Sequence, residues 1–140
     1  QPTWSKILTK LATTASELNE VKEKRWCIEA HQFRIDTTDG IGRPTPEGAH
    51  RDGVDWVAVF LVNRNGVKGG ETRVFEVDGP NGERFTLSEP WSLLLLNDAR
   101  MIHESTPIQP LAESGYRDTL VVTLRENYFQ NPVSSIPKSS

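Results

Sequence analysis

The sequence predicts a mainly β domain, a sandwich or barrel of the jelly-roll kind, with an N-terminal helix packed on one sheet. Apolar residues recur at three- and four-residue spacing near the N-terminus, and from residue 25 onward short segments with a two-residue period take over. Clusters of glycine, proline and asparagine separate seven or eight of these segments, as in all-β sandwiches and barrels. A small barrel of this kind can hold one small ligand.

The length and the composition indicate one globular domain. With 140 residues, 36% hydrophobic and 25% charged, the chain has enough apolar surface for one modest core. We predict a single domain over residues 1–128 and a mobile C-terminal tail over residues 129–140, which are rich in serine and proline. Because the first residue is Gln1 rather than methionine, we expect some native N-terminal chain to be missing.

Charge and cysteine content exclude several classes of partner. A formal net charge of −3 argues against nucleic acid or an anionic membrane as a partner. No apolar run approaches the ~18–20 residues of a membrane span, and no signal-peptide pattern opens the chain. The single cysteine, Cys27, excludes an intrachain disulfide and fits a reducing compartment, so we expect a cytoplasmic protein.

The N-terminal segment predicts an amphipathic helix that packs against a sheet. Its apolar residues form a one-sided stripe, and Thr3 or Ser5 could cap the first turn. The stripe consists of Trp4, Ile7, Leu8, Leu11, Ala15, Leu18 and Val21.

Residues 26–35 predict the first strand. Alternation places Gln32 and Arg34 on the face that also carries Trp26 and Ile28. These two polar side chains either line a polar cavity or lie on an exposed strand edge. His31 is interpreted as a surface or hydrogen-bonded histidine rather than a metal ligand.

The middle of the chain predicts strands joined by tight turns. Residues 56–62 are apolar on both faces and predict a central strand, and Asn65-Gly66 suits a hairpin turn. Further strands are predicted over residues 70–77, 83–87 (an edge strand), 91–96 (a buried strand) and through His103, with turns at 78–82 and 97–98.

Two histidines and one aspartate predict a metal site. In an extended chain the side chains of His50 and Asp52 point the same way, about 6.5–7 Å apart. With His103 as a third ligand they would form the facial triad of non-haem Fe(II) oxygenases. The turn-rich loop 39–48 leads into His50, so it either borders this site as a lid or is a plain connector. In the alternative interpretation, His50 and Asp52 pair in a turn and His103 is a core histidine.

The last predicted strand, residues 116–125, has one apolar and one polar face. Leu120, Val122 and Leu124 share the face that packs under a helix or sheet, while Arg117 and Thr119 share the other. If Arg117 points into the barrel it needs an anion, because an unpaired buried charge costs several kcal/mol. A carboxylate would suit its guanidinium, and the hydroxyl of Thr119 could add a hydrogen bond.

These motifs resemble a known enzyme family. His50-Arg51-Asp52, His103 and Arg117-Asp118-Thr119 are similar to the HxD…H…RxS/T pattern of Fe(II)- and 2-oxoglutarate-dependent dioxygenases, whose fold is a cupin-like double-stranded β-helix. More narrowly, GAHRDG at 48–53, GGET at 69–72 and NDARMIH at 97–103 resemble the bacterial L-isoleucine dioxygenase group (BsmA-like), whose members hydroxylate free amino acids. The resemblance extends from about residue 26 to residue 125.

The resemblance implies specific cofactors and roles. It implies that His50, Asp52 and His103 bind Fe(II), and that Arg117, assisted by Thr119, binds the distal carboxylate of 2-oxoglutarate. With O2 as cosubstrate, the reaction would hydroxylate a small substrate, a free aliphatic L-amino acid, and release succinate and CO2. For that substrate we expect a carboxylate partner in Arg34 or Arg125 and an ammonium partner in Glu71 or Asp55, with Gln32 nearby. A homodimer is also compatible with the resemblance.

Three other functions remain open from the sequence alone. A cupin-like metal enzyme without 2-oxoglutarate usually needs more histidines and would leave Arg117 and Thr119 without a role. A non-catalytic metal- or ligand-binding module, related to stress or biofilm regulation, would keep the site without turnover. A zinc hydrolase could use two histidines and an aspartate but needs a general base, and Glu104 points away from His103.

Overall fold

The computed structural model describes residues 2–18 and 25–126, and within the helix it describes the side chains of residues 6–15. It contains one helix, α1 (Pro2–Leu18), and nine described strands. The strands are β1 (Trp26–Asp36), β2 (Trp56–Asn65), β3 (Val67–Gly69), β4 (Thr72–Glu76), β5 (Gly82–Phe85), β6 (Leu93–Asn97), β7 (Met101–Ser105), β8 (Ile108–Pro110) and β9 (Tyr116–Glu126).

The strands form two facing layers of antiparallel sheet. The larger sheet has the order β1-β9-β2-β6, and opposite it lie the sheet β5-β4-β7 and the pair β3-β8. Val57 and Leu96 of the larger sheet share an apolar cluster with Val74 of β4, so the inner faces of the two layers pack together. The predicted jelly roll is therefore confirmed.

The helix covers the outer face of the larger sheet. Leu11 is 5% exposed and Ala15 is fully buried, and both lie in one cluster with Trp56, Val122 and Leu124. Each Å² of apolar surface that this stripe buries contributes about 25 cal/mol of favourable free energy, and this burial holds the helix on the sheet. The predicted helix on one sheet is confirmed; Val21, Trp4 and Leu18 belong to the stripe, but their side chains lie outside the described ones.

Most predicted strands are present, and β2 is an interior strand of its sheet, as expected. The turn at 78–82 joins β4 to its hairpin partner β5, an edge strand, and the turn at 97–98 leads into β7. β3 and β8 were not predicted, because each is only three residues long. The proposed tail, residues 129–140, lies outside the described residues.

Two details of the prediction are wrong. Asn65-Gly66 does not close a hairpin, because β3 pairs with β8 instead of β2; Gly66 has a φ of 66° and turns the chain from one layer into the other. The strand predicted over 91–96 begins only at Leu93 and is an edge strand rather than a buried one. Trp91 has a φ of 64° and is 57% exposed, so its apolar side chain does not mark a buried strand.

Candidate metal centre

The two predicted histidine ligands face each other across a short bridge between neighbouring chain segments. The backbone amide of His50 donates to the carbonyl of His103 (2.9 Å), and the amide of His103 donates back to the carbonyl of His50 (3.0 Å). This reciprocal pairing places both side chains on one face. The ring centroids are accordingly 4.5 Å apart.

Asp52 completes the cluster. Its Oδ1 lies 3.3 Å from His50 Nε2, and its Oδ2 lies 3.7 Å from His103 Nε2. One ligand atom from each of the three side chains lies within 4.8 Å of the others. His50 Nδ1 is 3.0 Å from the carbonyl oxygen of Gly48, and this contact orients the ring so that Nε2 is turned towards Asp52. Two imidazoles and one carboxylate in this arrangement can bind a divalent metal from one side.

The two histidines of the metal-free cluster have pKa values shifted in opposite directions. The hydrogen bond to Asp52 is the largest effect on His50 and raises its pKa to about 9. Burial lowers the pKa of His103, which is 8% exposed. At neutral pH the imidazole of His50 is therefore doubly protonated and positively charged, whereas that of His103 is neutral. A bound metal must replace the proton on His50.

Asp98 holds the loop that carries Asp52, a role that the sequence analysis missed. This aspartate is fully buried. Its Oδ1 accepts the backbone amide of Asp52 (3.0 Å), and its Oδ2 accepts those of Gly53 (2.7 Å) and Val54 (3.0 Å). In the sequence Asp98 looks like an ordinary turn residue, and no pattern distinguishes it from one.

A cavity of about 330 Å³ opens beside the three metal-site residues, a size suited to a small molecule. Arg117 and Thr119 line it from β9, as predicted for the polar face of that strand. Arg117 is 4% exposed, and its Nε has no hydrogen-bond partner among the described residues. Burial lowers the pKa of this arginine to about 10. A buried guanidinium that faces a cavity without a counterion is suited to bind an anion.

The remaining walls of the cavity are mainly apolar. Phe33, Ile35, Val59 and Val121 line it from the larger sheet. The loop 39–48 borders it, as predicted, and contributes residues 44–47. A larger cavity, about 500 Å³, lies elsewhere against β4 and β5, but no histidine or arginine lines it. Chemistry rather than size therefore identifies the candidate site.

A family model for 2OG-Fe dioxygenases matches residues 1–123. The chain belongs to the 2OG-Fe dioxygenase family. Enzymes of this family use Fe(II), 2-oxoglutarate and O2, and the residues of this cavity fit the first two. The His50, Asp52 and His103 donor set suits Fe(II). The buried, unpaired Arg117 suits a carboxylate of 2-oxoglutarate.

Solved structures agree with this fold. A BsmA homologue from Methylobium petroleophilum PM1 is 55% identical, with a TM-score of 0.84 over 94% of this chain and 53% of that chain. IDO from Bacillus thuringiensis is 24% identical, with a TM-score of 0.78 over 91% of this chain and 58% of that one. The Fe(II)/α-ketoglutarate-dependent dioxygenase TqaL is 21% identical, with a TM-score of 0.64 over 79% of this chain and 45% of that one.

The chain therefore spans about half the length of these structural relatives. No curated protein matches the sequence. No helix within the described residues is long and apolar enough to cross a membrane.

None of the five residues expected to bind substrate is among the residues that line this cavity. Gln32 and Arg34 lie on the outer face of β1, because the inner face is the one that carries Phe33 and Ile35. Arg34 instead donates to both carboxylate oxygens of its cross-strand neighbour Asp118, at 2.8 and 2.7 Å. This pair raises the pKa of Arg34 and lowers that of Asp118.

The other three expected substrate residues also lie elsewhere. Asp55 accepts the backbone amide of Glu126 (2.7 Å) and so ties the start of β2 to the end of β9. Glu71 accepts a hydrogen bond from Arg73 at 2.9 Å. Arg125 is opposite Cys27, at the end of β9 remote from Arg117. The geometry thus gives all five residues other positions, and strand alternation alone could not have revealed this.

Proposed function

We propose that this chain is a 2-oxoglutarate-dependent dioxygenase that hydroxylates a small aliphatic substrate, a free L-amino acid, and releases succinate and CO2. One observation carries the proposal. A cluster of two histidines and an aspartate shares a single cavity with a buried arginine that has no counterion among the described residues. A metal site alone would fit several enzyme classes, whereas the unpaired Arg117 beside it calls for an anionic cosubstrate.

In this proposal the residues of the chain bind and orient the reactants. His50, Asp52 and His103 hold Fe(II), and Arg117 holds the distal carboxylate of 2-oxoglutarate with help from the Thr119 hydroxyl. When bound, the iron and the cosubstrate supply the oxidising chemistry, in which 2-oxoglutarate is decarboxylated and O2 is activated. Asp98 keeps the Asp52 loop in place, and the apolar walls limit the access of water to the reacting centre.

The free amino acid as substrate is supported by the walls of the cavity and by the resemblance of the motifs at 48–53, 69–72 and 97–103 to the L-isoleucine dioxygenase group. Phe33, Ile35 and Val121 offer an apolar surface for an aliphatic side chain. Glu47 lines the cavity, and its carboxylate, 3.4 Å from His50 Nδ1, is the acidic group on the loop side that could face an ammonium. In this proposal Glu47 replaces Glu71 and Asp55 as the partner of the substrate ammonium.

Succinate formation tests the proposal. The Fe(II)-loaded protein is given 2-oxoglutarate and O2 and is screened against the twenty amino acids. We expect an aliphatic amino acid to stimulate succinate formation, and His50→Ala and Asp52→Ala to abolish it. His31→Ala is the matched control, because this third histidine is an exposed residue of β1 with a side chain 58% accessible. Binding of 2-oxoglutarate without any stimulated turnover would instead favour a regulatory, non-catalytic module.

Two further properties are proposed for the same protein. The single cysteine, Cys27, supports a reducing compartment, the cytoplasm, as the location. A homodimer stays a prediction, and light scattering of the purified protein measures it directly.

A further inference from the structure

A β-bulge lies in β2 next to the candidate site. From Trp56 to Leu61, β2 pairs with β9 in one register, and from Asn63 onward it pairs in a register shifted by one residue. Val62 is therefore the extra residue of the bulge. Because side chains alternate along a strand, this one-residue shift moves every later side chain to the other face. As a result, Arg64 lies directly opposite Arg117 and on the same inner face.

This placement puts two positive charges side by side. Like charges directly opposite each other across a sheet are destabilising. Burial lowers the pKa of both arginines, and the charge of Arg64 contributes to the lowering at Arg117. Within the described part of the chain, no carboxylate forms an ion pair with either guanidinium. The bulge thus creates a pair of cations that no carboxylate in residues 2–18 or 25–126 neutralises.

The two arginines meet at the Gly69-Gly70 turn. Nη2 of Arg64 donates to the carbonyls of Gly69 at 2.9 Å and Val67 at 3.4 Å, and Nη1 donates to the carbonyl of Leu87 at 3.4 Å. Gly70 has a φ of 70°, and a Cβ built there would lie 3.6 Å from Cδ and 3.7 Å from Nε of Arg117. Arg64 therefore holds the turn against which the side chain of Arg117 lies.

We infer that Arg64 is a positioning residue for the carboxylate that Arg117 binds, the distal carboxylate of 2-oxoglutarate. It fixes the Gly69-Gly70 turn behind Arg117 and adds a second positive charge close to that of Arg117. The inference rests on the proposed function. The bulge places this second arginine on the inner face, where its positive charge repels that of Arg117. A bound carboxylate would offset this repulsion.

The test compares 2-oxoglutarate affinity among Arg64→Gln, Arg64→Lys and a control, Arg84→Gln, whose arginine is exposed on the edge strand β5. Affinity is measured by calorimetry on the metal-loaded protein without O2, at low and high salt. Removing a charge close to a bound carboxylate should weaken binding by about tenfold or more and should flatten the salt dependence. Arg64→Lys should keep the salt dependence but bind several-fold more weakly, because an ammonium cannot reproduce the contacts of the guanidinium to three carbonyls.

A purely structural role for Arg64 would lower the stability without changing the salt dependence of 2-oxoglutarate binding. If the wild type binds 2-oxoglutarate and a folded Arg64→Gln binds it equally well, the inference fails while the proposed function stands. Should Arg64→Gln not fold, wild-type affinity in Arg64→Lys would overturn the inference. If the wild type itself does not bind 2-oxoglutarate, the proposed function fails, and the inference fails with it.

Discussion

Asp98 is the residue whose replacement should most clearly separate loop support from metal binding. Its carboxylate accepts three backbone amides, those of Asp52, Gly53 and Val54. Leaving a buried donor unsatisfied costs about 1–3 kcal/mol, but these amides are only part-buried, so water offsets some of the loss. We therefore expect Asp98→Ala to lower the free energy of unfolding by about 3–5 kcal/mol, a large part of a typical total of ~5–15 kcal/mol.

Asp98→Asn should be milder and more informative. If its amide oxygen takes the place of Oδ2, it keeps the bonds to Gly53 and Val54, but its NH2 group then faces the amide of Asp52. One bond is lost and two donors oppose each other, so we expect a loss of about 2–3 kcal/mol. Because Asp52 is displaced, metal affinity should fall by about 10- to 100-fold, as is typical when a group behind a ligand is lost.

Urea unfolding and calorimetric titration with Zn(II) measure the two effects. Asp78→Asn serves as the control, because this aspartate is exposed in the turn between β4 and β5 and should change neither quantity. An Asp98→Asn protein within about 0.5 kcal/mol of the wild type, the range of neutral surface changes, would refute the role assigned to Asp98.

Three further predictions follow from the site. Asp52 raises the pKa of His50 to about 9, so metal binding at pH 7 should release about one proton. The apparent metal affinity should therefore rise roughly tenfold per pH unit up to pH 9. Calorimetric titrations in buffers of different ionisation enthalpy measure the proton release, and a metal affinity that does not change with pH would contradict the prediction. Gly70→Ala should weaken 2-oxoglutarate binding, because its Cβ would lie 2.9 Å from Ile108 and would displace the turn against which Arg117 lies, whereas Gly40→Ala, with open space around it, should not. Arg34→Ala should leave the KM for the substrate unchanged, because Arg34 lies on the outer face of β1. A raised KM would indicate that Arg34 contacts the substrate after all.

The proton on His50 also affects the metal-free protein. A raised pKa means that the folded state holds this proton more tightly than the unfolded state does. The stabilisation is therefore fully present below pH 6.5 and is lost as the pH rises through about 9. Thermal unfolding of metal-free protein across this window should show the decline, and His50→Gln should remove it.

The sequence predicted β9 well because its pattern is unambiguous. Leu120, Val122 and Leu124 share one face, and the structure packs them under the helix. The other face is mainly polar, with Val121 as its apolar residue. Arg117 and Thr119 consequently face the cavity. A period of two determines which residues share a face, and here polarity also determined which face is buried.

The same pattern was insufficient for β1, where both faces carry apolar residues. Trp26 and Ile28 pack on the helix side, whereas Phe33 and Ile35 line the cavity. The pairing of β1 with β9 decides which face of β1 lines the cavity and which faces outward. The sequence alone therefore could not show that Arg34 lies on the outward face. Register also explains why Arg64 was missed: no local pattern marks the bulge at Val62 that moves it to the inner face.

Anaerobic titration of the protein with Fe(II) and 2-oxoglutarate tests the central claim most directly. Chelation of Fe(II) by the keto acid produces a visible charge-transfer band, which requires both partners in one site. We predict this band in the wild type and in His31→Ala, its loss in His103→Ala, and a higher 2-oxoglutarate concentration for half-saturation in Arg117→Gln. An absent band in the folded wild type, or a band that survives in His103→Ala, would contradict the account.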